Sequence, residues 1–309
     1  MKIYKNIEDA SGLHKPVITV GTFDGLHIGH RKIVDRMLEI AGHTGGDTLV
    51  VTFHPHPRLV IYPDSRDLKF ITTREQKYRL FEKYGIGHLL EIPFTREFAG
   101  ISSQSFIRNV LVEKLHVRNL VIGYDHHFGR NREGNIASFR MLADEFGFGT
   151  EEVPAQLFRG VPVSSTKIRN AIMEGNIGLA NEMLGYEYSI TGDVVKGDGI
   201  GRKLGFPTAN IDVACGNKLI AGNGVYACGV EWKGSVYTGM ANIGLRPTTG
   251  RDEFSVEVHL FDFSAEIYGE RITIHFIEKI REERKFDDLE GLKRQLEHDR
   301  MKVMGIVGK

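Results

Sequence analysis

The sequence predicts two domains, an α/β domain built on a doubly wound parallel sheet and then an antiparallel β-barrel with a terminal helix. Three observations predict this. Strand-like and helix-like segments alternate through the first half, the pattern of parallel strands joined by helical crossovers. Near residue 185 the runs become short, β-branched and aromatic, with glycine turns between them, as in an antiparallel barrel or sandwich. The 309 residues correspond to two domains at roughly 150 residues each. The boundary is placed between 185 and 186, giving domains 1–185 and 186–309.

In the first domain the strands are Val17–Thr22, Thr48–Phe53, His88–Ile92, Leu120–Gly123 and Thr150–Val153. Helices are expected at Arg31–Ala41, Arg74–Tyr84, Ser103–Leu115 and Ile136–Phe146. In the third of these, Phe106, Val110, Leu111 and Leu115 make one apolar stripe. A further helix starts in Ser164–Arg169, with Ile168, Ile172 and Met173 as its apolar face. The second domain has strand runs at Tyr188–Val195, Gly224–Glu231, Ser235–Asn242, Phe254–Phe263 and Arg271–Ile277. A last helix spans about Asp287–His298, with Leu289, Leu292 and Leu296 on one face.

Forty basic and forty acidic side chains cancel, and 41% of the residues are hydrophobic. That balance argues against a nucleic-acid or anionic-membrane partner. No apolar run approaches the ~18 residues of a membrane span, and MKIYKNIEDA lacks the core of a signal peptide. Cys215 and Cys228 form neither a disulfide framework nor a zinc spacing. A cytoplasmic protein is expected, and a homo-oligomer is left open.

Residues 21–30, GTFDGLHIGH, join the first strand to its helix. Small residues let the backbone approach an anion, and the first free N–H groups of a helix point at it. His27 and His30, three apart, share one face if the helix begins near Ile28. An imidazole pair beside a phosphate can donate hydrogen bonds and, if protonated, offset charge developing in a transition state. A strand–glycine–helix junction occurs in every α/β domain, so this string alone leaves a structural reading open. In Ser164-Ser165-Thr166-Lys167-Ile168-Arg169 the hydroxyls suit an N-cap. Two cations in a first turn oppose the helix dipole, and a bound polyphosphate would explain them. His54-Pro55-His56-Pro57 is read as an extended loop with too few ligands for a metal.

Residues 199–210, GIGRKLGFPTAN, form a glycine loop carrying two cations before a strand on which Thr208 and Asn210 share a face. A hydroxyl and an amide oxygen so placed suit a Mg²⁺–phosphate assembly, and an ordinary hairpin with a Thr–Asn pair is equally open. In Ser255–Leu260, Glu257 points opposite to Val256 and Val258.

The ten-residue string resembles the HxGH signature of nucleotidyltransferases, in the form seen in bacterial FAD synthetases. GRKLGFPTAN, followed by Gly224-Val225-Tyr226, Asn242-Ile243-Gly244, Arg246-Pro247-Thr248 and the Glu257 run, resembles the riboflavin kinase signature. The whole chain is thus similar to the bacterial bifunctional riboflavin kinases/FMN adenylyltransferases. The resemblance implies that the second domain phosphorylates riboflavin to FMN and the first transfers adenylyl from ATP to FMN, giving FAD, both with Mg²⁺ and ATP. It implies catalytic roles for His27, His30, Arg169 and Glu257, with Glu257 as general base. It implies ATP contacts at Gly21, Phe23, Gly25, Gly29, Ser165, Thr166, Gly201 and Lys203, flavin contacts at Asp125 and Phe128, and metal contacts at Thr208 and Asn210. Two other readings stand beside it: a nucleotidyltransferase for another phosphate substrate, and a flavin-binding regulatory protein with one inactive domain.

Overall fold

A computed structural model describes residues 1–62, 68–124, 129, 136–197, 199–213, 216–246 and 253–308. The chain divides into two compact units. The first comprises 1–68 and 72–164, and the second comprises 69–71 and 165–309.

The first unit runs β1 (Lys2–Tyr4), β2 (Val17–Val20), α1 (Ile28–Thr44), β3 (Thr48–His54), α2 (Pro57–Ile61), α3 (Arg74–Lys83), β4 (His88–Pro93), α4 (Arg96–Ala99), α5 (Ser103–Phe106), β5 (Asn119–Gly123), α6 (Ile136–Phe146), β6 (Gly149–Val153) and the hairpin β7 (Leu157–Phe158) and β8 (Val161–Pro162). Six strands form one sheet in the order β1-β4-β3-β2-β5-β6, parallel throughout. Both faces are covered, so successive residues of a strand enter different cores. Ile18 and Val20 join Phe106, Leu111 and Phe139 on one side. Val17 joins Ile33, Met37 and Phe81 on the other. From β2 the chain adds β3 and β4 to one side and β5 and β6 to the other. The carboxyl end of β2 is therefore the switch point where such sheets bind ligands.

Three local expectations are corrected. Pro57 opens a short helix, α2, in place of an extended loop; the first helical position needs no N–H and suits the fixed φ of proline. The helix expected over Ser103–Leu115 continues beyond α5 as a widened turn at Ile107–Val112, with Glu113 N bonding Arg108 O and Leu115 N bonding Val110 O. The stripe of Phe106, Val110, Leu111 and Leu115 is nevertheless buried. β1 is an additional strand, three residues long at the sheet edge.

The second unit runs α7 (Ser165–Met173), α8 (Ile177–Leu184), β9 (Ser189–Val195), α9 (Ile200–Lys203), β10 (Ala209–Asp212), β11 (Gly224–Trp232), β12 (Ser235–Arg246), β13 (Glu253–Leu260), β14 (Arg271–Arg281) and α10 (Leu289–Val307). The strands close a barrel in the order β10-β13-β12-β11-β14-β9, every pair antiparallel. Register shifts between β11 and β14 add the local bend that closure requires. α8 is fastened to the barrel through Asn181, whose Nδ2 donates to Phe276 O at 2.8 Å and whose Oδ1 accepts from Tyr188 N at 2.7 Å. On α7, Ile168 and Ile172 are buried as expected, but Met173 is 51% exposed and does not share their face. α10 runs nine residues past the expected His298. Leu296, Val303 and Ile306 pack against Phe206, Val225 and Met240, whereas Leu289, at the first helical position, is 59% exposed.

Candidate functional site

The loop at the switch point is built around two imidazoles. α1 begins at Ile28, with His27 as N-cap: His27 Nδ1 accepts from His30 N at 3.4 Å. Because Nδ1 accepts, the ring proton of His27 sits on Nε2. The two rings stack with centroids 3.7 Å apart and planes 16° from parallel. Burial pushes the His27 pKa down to about 4. His30 lies well below the usual histidine range, first through burial and then through the nearby His27 and Lys77. At neutral pH both rings are neutral, which leaves the pair its hydrogen-bond-donor role and not the charge-offsetting one that requires protonation.

The loop is held by its neighbours. Gly25 has φ +82°, which glycine adopts without strain, and its N–H donates to Thr72 Oγ1 at 3.1 Å. Thr72 N in turn donates to Asp24 Oδ1 at 3.2 Å. Phe23 is 3% exposed, with its ring edge-on to His30 and to Phe81. Gly21 lies against the Phe23 ring and Gly29 against the His27 ring, where a Cβ would come within 3.0 and 3.2 Å.

Sequence reasoning does not single out Lys77. It lies half-buried on α3, and its Nζ donates to Thr22 O at 2.9 Å and Thr52 Oγ1 at 3.4 Å, joining the ends of β2 and β3. A usable signal exists, because Arg74 and Lys77 stand in the first turn of α3, where cations oppose the dipole.

The string Ser165-Thr166-Lys167-Ile168-Arg169 opens α7 and belongs to the second compact unit. Asp125 and Phe128 lie outside the described residues.

In the barrel, β10 and β13 pair so that Asn210 stands directly opposite Glu257. Thr208 Oγ1 donates to Glu257 Oε2 at 3.3 Å. On the other side of β13, Asn242 is the partner of Glu257; the sequence pattern contains Asn242 in a kinase-like string without giving it a role. Directly opposed residues share a face, so Asn210, Glu257 and Asn242 form one polar row. Val256 and Val258 are buried, as the alternation requires. Backbone crowds this row: a Cβ on Gly197 would lie 2.0 Å from Asn210 Nδ2, and one on Gly201 would lie 2.3 Å from Phe206 O. Thr208 also lines a cleft of about 410 Å³ with Arg202, Pro207, Phe263 and Tyr268. The Lys203 side chain lies outside the described ones. Among the described residues no three His, Cys, Asp or Glu side chains gather as a metal cluster.

A family model described as FAD synthetase matches residues 9–167, and one described as riboflavin kinase matches 184–307. A bifunctional riboflavin kinase/FMN adenylyltransferase of Listeria monocytogenes is 40% identical over 284 residues, covering 92% of this chain and 90% of its own. The chain belongs to this bifunctional family. The relative of the same name from Bacillus subtilis is 36% identical, with 94% of this chain and 92% of its own aligned. A crystal structure described as a macrolide-efflux protein from Streptococcus pneumoniae matches with a TM-score of 0.89 at 30% identity, covering 97% of each chain. No helix among the described residues is long and apolar enough to cross a membrane. The adenylyltransferase match contains the His27–His30 loop, and the kinase match contains the Thr208–Asn210–Glu257 row.

Proposed function

We propose that the barrel phosphorylates riboflavin to FMN and that the parallel-sheet site adenylylates FMN to FAD, each with ATP. The observation that carries this is the cross-strand opposition of Asn210 and Glu257 with Thr208 bonded to Glu257, within the segment matched as riboflavin kinase. Three oxygen-bearing side chains converge there, a donor set that fits a hard divalent cation. Thr208 and Asn210 would hold Mg²⁺, which when bound offsets charge on the phosphates. Glu257 accepts the proton of the riboflavin 5′-hydroxyl as that oxygen takes the γ-phosphoryl group of ATP. Gly201 and Lys203 belong to the loop before this row and are assigned to the ATP phosphates.

At the parallel sheet an FMN phosphate oxygen attacks the α-phosphorus of ATP and pyrophosphate leaves. No covalent intermediate on the protein is required. The neutral rings of His27 and His30 donate N–H to the reacting phosphate, and the start of α1 adds its free amides. By family resemblance Ser165, Thr166 and Arg169 contact the ATP phosphates, Gly21, Phe23, Gly25 and Gly29 shape the nucleotide loop, and Asp125 and Phe128 touch the flavin. Functionally the domains are assigned as 1–185 and 186–309; the compact units differ by taking α7 and α8 with the barrel.

The test supplies riboflavin, ATP and Mg²⁺ and follows FMN and FAD by chromatography. The expected course is FMN first, then FAD. Glu257→Gln should slow FMN formation by roughly 10²–10⁴-fold while still converting added FMN to FAD. Formation of FMN without FAD would remove the adenylyltransferase half of the proposal and favour the regulatory reading. Formation of neither, with adenylylation of another phosphate ester, would favour a different nucleotidyltransferase.

A further inference from the structure

Where the ladder between β10 and β13 stops, a histidine side chain takes over. The paired register ends at Ala209 and Val258, so Pro207 and Thr208 lie beyond it. Pro207 has no N–H with which to extend a ladder. Its carbonyl instead meets His259 Nδ1 at 2.7 Å. A carbonyl only accepts, so Nδ1 carries a proton and donates. His259 stands on β13 two residues after Glu257, and alternate residues of a strand share a face.

One strand therefore grips Thr208 twice. Glu257 accepts from the Thr208 hydroxyl at 3.3 Å, and His259 bonds the carbonyl of the peptide that leads into Thr208. The imidazole is itself held. It is 8% exposed, with the Phe206 ring edge-on at 5.2 Å and the Phe261 ring tilted at 5.5 Å. Phe206 is anchored in turn, its N–H bonded to Gly201 O at 2.9 Å. Pro207 and Thr208 line the cleft, whereas His259 is not among the residues that line it. Its influence on anything bound there passes through Pro207.

We propose that His259 is a positioning residue for riboflavin phosphorylation: through the Pro207 carbonyl it fixes where Thr208 presents its hydroxyl. This rests on the kinase reading above, in which Thr208 helps to hold Mg²⁺ and Glu257 takes the proton of the riboflavin hydroxyl. Any donor could satisfy the Pro207 carbonyl. A rigid ring on the strand that bears Glu257 does more, because it keeps Thr208 in register with that carboxylate. Groups that orient a metal ligand without touching the metal tune its affinity and activity, and a displacement of about 1 Å at such a site lowers rate on the order of 100-fold.

The test uses the full-length protein. With ¹⁵N-labelled histidine, and with metal and nucleotide both omitted, His259 should show the Nδ1–H tautomer, its signal assigned by loss in His259→Phe. That variant keeps an aromatic ring and removes the donor. Its FMN formation should slow roughly 10–100-fold, and the Mg²⁺ needed for half the maximal rate should rise by a similar factor, the range for partners that orient a metal ligand. Riboflavin binding without metal, read by flavin fluorescence, should be unchanged, as should conversion of added FMN to FAD. His259→Asn, whose amide nitrogen reaches the place of Nδ1, should recover most of the rate. FMN formation by His259→Phe at the wild-type rate would overturn the proposal. So would an Nε2–H tautomer in the wild type, a rate that falls only together with riboflavin binding, or His259→Asn no faster than His259→Phe. A wild-type protein that makes no FMN from riboflavin, ATP and Mg²⁺ would instead defeat the kinase reading itself, and the positioning role with it.

Discussion

Burial of His27 contributes to the sensitivity of the first unit to mild acid, and Asn in its place should remove that contribution while leaving the part due to His30. In the unfolded chain the ring titrates at its ordinary 6.5, whereas in the folded protein it titrates at about 4. Between these values protons bind preferentially to the unfolded state. The contribution of His27 to stability is therefore fully present above pH 6.5 and is lost as pH falls toward 4. Two and a half pKa units correspond to about 3 kcal/mol at the acid limit, of which about 2 kcal/mol is lost between pH 7 and pH 5. His27→Asn keeps a good N-cap for α1 but has nothing to titrate. Amide exchange in peptides covering Ile28–Thr44, corrected for intrinsic rates, reads the local stability at each pH. The wild type should lose about 2 kcal/mol more than His27→Asn over that interval. Equal losses in the two proteins, within about 0.5 kcal/mol, would show that the ring is not held neutral by burial and refute the reasoning.

Two further outcomes follow from the barrel. Gly197→Ala places a methyl group where Asn210 Nδ2 now lies 2.0 Å away; displacing that amide by about 1 Å should cut FMN formation roughly 100-fold, measured against unchanged conversion of FMN to FAD. Asp299, 2% exposed at its side chain, accepts from Arg281 at 2.8–3.1 Å and from Gln295 at 2.6 Å. Asp299→Ala should cost about 3–5 kcal/mol by leaving a mostly buried guanidinium without its carboxylate, read by urea unfolding of the barrel through the fluorescence of Trp232, the chain's single tryptophan; a cost below about 1 kcal/mol would mean that α10 is held by its other contacts.

Local signals are legible where they repeat or punctuate. The apolar run at Val17–Val20 and the spacing of Ile33, Met37 and Ile40 place β2 and α1 from residue pattern alone. That pattern starts α1 three residues late because its cap is a histidine, outside the usual Ser, Thr, Asp and Asn set. β1 has no such signature, since three residues carry no periodicity and their pairing with β4 is supplied by a segment over eighty residues away. The extension of α10 is within reach: Val303 and Ile306 continue the spacing of Leu296, but the charged positions between them break the apparent stripe. Thr208, Asn210 and Glu257 each stand out by resemblance, yet their convergence depends on barrel register, which a single sequence does not state. The same register brings in Asn242, which the kinase-like string contains without giving it a role.

The two cation-bearing helix starts show where sequence reasoning stops. A positive side chain in a first turn is disfavoured by about 0.3–1 kcal/mol, so its presence implies compensation from the fold or from a ligand. Applied to α7, this rule points to polyphosphate through Lys167 and Arg169. Applied to α3, it flags Arg74 and Lys77 with equal force. The structure separates the cases that the rule treats alike. Arg74 finds a carboxylate, Glu91, within 2.9 Å, which accounts for it structurally. Lys77 finds only neutral oxygen acceptors among the described residues, with its counter-charges on Asp24 and Glu91 acting from a distance. A half-buried ammonium that ties Thr22 of the histidine loop to Thr52 of β3 is accounted for by the two strand ends it joins.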